Sequence, residues 1–209
     1  MRSNAGVKKM VAGMLVLIMS IMVMPTASAR TIKDSGQRRT GDRDRSGKEV
    51  YTGTVVFIGG RLSGRSTTFT LTIDGNTSDE EMTRDVDLLR AKGQDELLDA
   101  IRKERKGTFQ IGSELGQDLN IVQIGEGEEG GKKITAVFTR WMRFAEVRAG
   151  SRTTDYPFSY VELVIDSRGK GNGTFIPLAR LDFDKKKNAL EIENFGAFPA
   201  KLMGVRKRG

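Results

Sequence analysis

The sequence predicts a mainly β, α+β fold: an antiparallel β-barrel or sandwich with a helical hairpin inserted at about residues 78–106. Three observations carry that expectation. Between residues 49 and 205, β-branched and aromatic residues alternate with polar ones in short runs, the period-two signature of half-buried strands. The runs recur at near-regular spacing between glycine-rich or charged turns, as in barrels and sandwiches. One segment departs from this rhythm and carries a helical period instead.

The first strand is expected at Tyr51, Val55 and Phe57, and the second at Phe69, Leu71 and Ile73, each alternating with threonines. Between them Gly59-Gly-Arg-Leu-Ser-Gly-Arg-Ser66 reads G-x-x-x-x-G-R-S, a phosphate-binding loop with arginine in place of lysine. Such a loop needs a helix after its glycines, because the helix N-terminal amides hold the phosphate. Thr67-Thr-Phe-Thr-Leu-Thr-Ile73 is a strand, so the segment is read as a hairpin loop.

Asp74, Asn76 and Ser78 stand at calcium-loop spacing, but Asp79 occupies the position that requires glycine. Ser78-x-x-Glu81 is instead a capping box that opens a helix. Met82, Val86 and Leu89 form one apolar stripe; after Gly93, Leu97, Leu98 and Ile101 form a second. The cations from Arg102 to Lys106 followed by Gly107 give a helix stop. Both stripes are expected to be core packing. Further strands are expected at Phe109–Ile111, Leu119–Ile124, Ile134–Phe138, Tyr160–Ile165, Thr174–Phe183, Leu190–Glu193 and Leu202–Val205.

The N-terminus points to export. Arg2, Lys8 and Lys9 precede an apolar run from Val11 to Met24, and Ala27-Ser-Ala29 supplies an A-x-A cleavage site. The run would reach about 21 Å as a helix, short of a bilayer core. A signal peptide, residues 1–29, is therefore expected to be cleaved after Ala29, leaving no transmembrane segment in the mature chain and a periplasmic or extracellular location. Residues 30–48 hold seven basic and three acidic residues and only Ile32 as a large apolar side chain, so a disordered basic tail is expected. A single β-rich domain spans 49–205, and 206–209 form a basic C-terminal end. The formal charge of +8 is concentrated in these ends, since residues 49–200 carry 21 basic against 24 acidic residues. That distribution suits anionic surfaces or polymers met through basic tails and gives no expectation of a specific nucleic-acid partner.

The chain has no histidine and no cysteine. Ser-His-Asp and Cys-His nucleophile systems and conventional zinc sites are excluded, and no cofactor or metal is expected. Ser167-Arg-Gly-Lys170 matches S-x-x-K, but its serine and lysine lie in a glycine-rich turn instead of one helical turn. Glu191 and Glu193 flank Ile192 about 6.5–7 Å apart on one strand face, near the separation of an inverting glycosidase and equally that of a solvent face. The segment Arg148 to Phe158 gathers Arg148, Arg152, Asp155 and Tyr156, and with Arg61 and Arg65 it forms the candidate ligand-binding set.

Tyr51–Ile73, Asp155-Tyr-Pro-Phe158 and Gly171-Asn-Gly-Thr-Phe-Ile-Pro177 resemble a group of small secreted bacterial proteins with no assigned activity. The resemblance implies the exported compartment and no mechanism. The expected function is a non-enzymatic, exported binding or envelope-associated module. Two alternatives are a carboxylate-based polysaccharide hydrolase and a structural or interaction protein that uses its helical hairpin.

Overall fold

The computed structural model describes residues 47–58, 62–127, 130–140, 152–185, 189–195 and 199–208. The expected signal peptide, and the 30–48 tail up to residue 46, lie outside the described residues. Ten strands and two helices follow in the order β1 Glu49–Val56, β2 Ser66–Ile73, α1 Asp79–Lys92, α2 Gln94–Ile101, β3 Gly107–Ile111, β4 Gln117–Leu119, β5 Ile121–Glu126, β6 Lys132–Thr139, β7 Phe158–Ile165, β8 Lys170–Asp184, β9 Ala189–Asn194 and β10 Ala200–Arg208.

β1 and β2 pair as a hairpin with Val56 opposite Ser66. The Phe57 N–H donates to the Arg65 carbonyl at 3.0 Å, and Gly64 takes the positive φ of 79° that the turn requires. A strand follows the glycines, as threonine-rich sequence dictates. Ser78 opens α1 through a full capping box: its hydroxyl accepts from the Glu81 N–H at 3.2 Å and the Glu81 carboxylate accepts from the Ser78 N–H at 2.9 Å. Gly93, at φ 89°, separates α1 from α2.

α2 ends at Ile101, earlier than the cationic stop suggested. Lys106 is already held by the sheet, its N–H donating to the Leu119 carbonyl at 2.8 Å and its carbonyl accepting from Asp74 and Gly75 at 2.8 and 3.0 Å. The single strand expected at Leu119–Ile124 is two. Asn120, buried between them, donates from Nδ2 to the Glu104 carbonyl at 2.8 Å and accepts the Thr139 N–H on Oδ1 at 2.7 Å. These bonds replace ladder bonds at the point where the chain leaves β3 and joins β6.

All ten strands lie in one antiparallel sheet of order β4-β3-β2-β1-β10-β8-β7-β6-β5, with β9 added to the far half of β8. The two ends of that order, β4 and β5, are consecutive in the chain, and no ladder joins them. The outer edge of β5 is covered: Val122 N–H donates to Thr77 Oγ1 at 2.9 Å, and Ile124 N–H donates to Asn76 Oδ1 at 3.1 Å. Side chains thereby satisfy amides that an open edge would expose.

The sheet buries both of its faces over β6 and β7. One face holds Phe69, Phe109, Phe138 and Phe175, and the Phe109 ring lies 5.1–5.8 Å from the other three. Phe109 on β3 reaches Phe138 on β6, so the sheet must curl strongly. The opposite face receives the helices, with Leu89, Leu97 and Ile101 packed among Val137, Phe158, Tyr160 and Ile176. Met82 and Val86 are half-buried against the same cluster, so the α1 stripe is packing surface. Burial on both sides explains the unbroken run Ile134–Phe138, which strict alternation does not. No described helix is long and apolar enough to cross a membrane.

Candidate functional site

The residues expected at a ligand site divide three ways. Arg61, Arg148 and the side chain of Arg152 lie outside the described residues. Arg65 is exposed in the β1–β2 turn. Asp155 and Tyr156 belong to a loop, entered through a 3-10 turn at Arg152–Asp155, that is stitched to its surroundings. Gln94 Nε2 donates to the Asp155 carbonyl at 2.9 Å, and Gln94 Oε1 accepts the Leu181 N–H at 3.3 Å. Tyr156 donates its hydroxyl to Glu193 Oε1 at 2.7 Å, and its ring centroid lies 5.0 Å from that of Phe195 with the planes tilted by 60°. The arginine that organises this loop is Arg140, which donates to the Tyr156 and Thr153 carbonyls at 2.6 and 2.5 Å. Sequence reasoning missed it because its partners are backbone atoms 13 and 16 residues away.

A cationic concavity lies elsewhere. The β7–β8 hairpin turns at Asp166–Lys170, and β10 runs beside β8 in the register Lys170 opposite Arg206. Between them is a groove of about 580 Å³ rimmed by Val164, Arg168, Lys170, Asn172 and Arg206. Two glycines of β8, Gly171 in the groove and Gly173 beyond it, let the β7 backbone come close. A Cβ on Gly171 would stand 1.9 Å from the Val164 carbonyl oxygen, and one on Gly173 would stand 2.1 Å from that of Glu162. Gly204, at φ 60°, makes the β10 bulge between Leu202 and Val205, and its N–H donates to Asn172 Oδ1 at 3.4 Å.

The electrostatics of this groove are one-sided. Among the described residues Asp166 is its one acid, and that charge is already engaged. Its carboxylate accepts the Lys170 and Arg168 N–H groups at 2.8 and 2.9 Å and two nitrogens of the Arg168 guanidinium at 3.2–3.3 Å. The Lys170 amide above all holds its carboxyl below the ordinary range. Among the described residues, Lys170 and Arg206 make no ion pair. Like charges directly opposite on neighbouring strands repel each other, so Lys170 and Arg206 oppose pairing at this point of the sheet.

No family model matches the chain, and neither does any curated protein or solved structure.

Two other places were expected to carry chemistry. Glu193 is exposed and engaged by Tyr156, while Ile192 beside it enters the helix-side core. Neither Glu191 nor Glu193 rims the groove. Ser167 and Lys170 lie in the hairpin turn and the first strand position after it, with no helix to align them. Under α1, a crevice among Met82, Asp85, Leu89, Tyr160, Leu181 and Leu190 has a volume of about 40 Å³. That space is too small for an organic ligand.

The groove residues were hard to find from sequence. Lys170 appeared as one member of a glycine-rich turn and Arg206 as part of a charged end. Strand β10 in fact continues to Arg208, three residues past the expected Val205, because β1 and β8 both pair with it there.

Proposed function

We propose that the chain is an exported, non-enzymatic binding module that holds anionic groups in the groove between the β7–β8 hairpin and β10. The observation that carries this reading is the cross-strand pair Lys170–Arg206, two cations facing each other beside an acid that is fully engaged. Arginine offers a planar fork of donors to a carboxylate or phosphate, and lysine adds a point charge. The Asn172 amide, with its oxygen taken by Gly204, has its N–H₂ group left to donate.

The scaffold belongs to the same reading. We read the curled ten-stranded sheet as a barrel whose wall is completed by the continuous segment Gln117–Glu126, its first part on β3 and its second on β6. Support comes from Phe109 of β3 meeting Phe138 of β6, and from Lys132 of β6 meeting Glu49 of β1 at 2.9 Å. An interior filled by phenylalanines leaves the outer face as the place for a ligand. Export rests on the A-x-A signal ending at Ala29, and N-terminal sequencing of the exported protein should begin at Arg30.

Calorimetric titration with pyrophosphate tests the site. The wild-type protein should bind, and the double variant Lys170→Gln/Arg206→Gln should bind at least tenfold more weakly while its thermal unfolding midpoint is unchanged or higher. Equal affinity in the two proteins would end the reading.

A further inference from the structure

We infer that the groove is one station on a longer track, and that the ligand is a linear, non-aromatic polyanion lying along β10. This inference rests on the anion-binding reading above and names the kind of molecule that carries the anions. Arg206 and Arg208 lie two residues apart, and a strand side chain repeats on one face about every 6.5–7 Å. Both are exposed, and Lys201 is exposed at the other end of the same strand, beyond the Gly204 bulge. β8 contributes Lys170 directly opposite Arg206 and Thr174 opposite Lys201. The cations therefore form a line about 20 Å long, not a patch that spreads in two dimensions.

The nearby acids do not neutralise that line. Glu49 is taken by Lys132 and Lys207, Glu162 by Lys133 and Tyr160, and Asp166 by its own hairpin. Among the described residues, Lys170, Lys201, Arg206 and Arg208 make no ion pair. The two helices have the opposite net sign, eight acidic residues against Arg84, Arg90 and Lys92, with Asp79, Glu80 and Asp87 exposed on α1 and Asp95, Glu96 and Asp99 on α2. A polyanion is thus drawn to the β10 line and away from the helices.

The chemistry of the walls narrows the class further. Among the described residues no aromatic side chain rims the groove, which offers no platform for stacked bases. A concave channel with cations in a row fits a chain better than a flat bilayer, which favours coplanar cations around inserted apolar residues. The exposed apolar side chains there are single, Val164 at 46% and Met203 at 48%. What remains is a flexible polymer whose phosphate or carboxylate groups can meet cations about 7 Å apart, two residues of strand rise.

The test is a length series on the purified full-length exported protein. Orthophosphate, tripolyphosphate and long-chain polyphosphate are titrated at several salt concentrations, with poly-L-glutamate as the carboxylate arm. Affinity per chain should rise steeply with length and level off once the polymer exceeds about 20 Å, the span of the cations. The slope of log affinity against log salt should approach about −3, four contacts at roughly 0.7 each. Lys201→Gln, outside the groove, should reduce both the affinity for long polymers and this slope, while orthophosphate binding stays unchanged. A length dependence with either polymer supports the inference and identifies the preferred group. Equal affinity for orthophosphate and long polymer, or no effect of Lys201→Gln, overturns the track while the anion-binding site survives. Tighter binding to phosphatidylglycerol vesicles or to a single-stranded oligothymidylate overturns the choice of polymer. No binding of any probe removes both readings together.

Discussion

Glu49 on β1 and Lys132 on β6 meet at 2.9 Å although β10, β8 and β7 stand between their strands in the sheet. Lys207 of β10 reaches the same carboxylate oxygen at 2.5 Å, and the Tyr51 hydroxyl donates to the other oxygen at 2.8 Å. One carboxylate thus joins distant strands and ties them to a tyrosine rooted in the phenylalanine-lined core. That clasp, the bulged groove beside it and the Asn120 kink are where the fold departs from plain alternation, and each makes a measurable prediction.

Glu49 should make stability depend on acid pH. Burial pushes its carboxyl up, but hydrogen bonds from Lys207, Lys132 and Tyr51 outweigh this and lower it from 4.5 to about 2. A depressed folded-state value means the contribution is complete above the unfolded value and disappears as pH falls toward 2. On the order of 2–3 kcal/mol should be lost across that window. Urea unfolding of wild type and Glu49→Gln checks it. The variant should be less stable near neutrality, and the two curves should converge as pH approaches 2.

Arg206→Glu should stabilise the free protein while abolishing anion binding. It converts a repulsive cross-strand pair with Lys170 into an attractive one, a gain of about 0.5–1 kcal/mol. Thermal unfolding at low salt should show a midpoint higher by roughly 1–4 °C. A lower midpoint would mean that Arg206 contributes to the fold and that the opposed cations carry no cost.

The groove glycines should differ sharply in tolerance. Gly171→Ala places a methyl into the Val164 carbonyl, and the strands must separate, costing about 3 kcal/mol or more. Gly204→Ala meets nothing within 4 Å and incurs only its φ of 60°, about 1–2 kcal/mol. Equilibrium unfolding of both variants should reproduce that order.

Asn120→Leu should cost about 2–4 kcal/mol. It keeps the side chain's approximate size but leaves the Glu104 carbonyl and the Thr139 N–H unpaired in a buried place. Amide exchange should locate the damage, with Thr139 losing protection while the β1–β2 hairpin retains it.

Local chemistry was legible in the residues themselves. Alternation marked the strands, Ser78 and Glu81 marked the start of α1, and the absence of histidine and cysteine removed whole classes of catalysis. These features depend on neighbours within a few positions, where periodicity and capping act. Tertiary structure alone decided that Lys170 faces Arg206, that Asn120 divides one expected strand into two, and that Arg140 holds the Tyr156 loop. Each depends on strand register between segments distant in the chain. Register is chosen by the best burial of the whole sheet, a sum over many side chains that no single stretch of sequence contains.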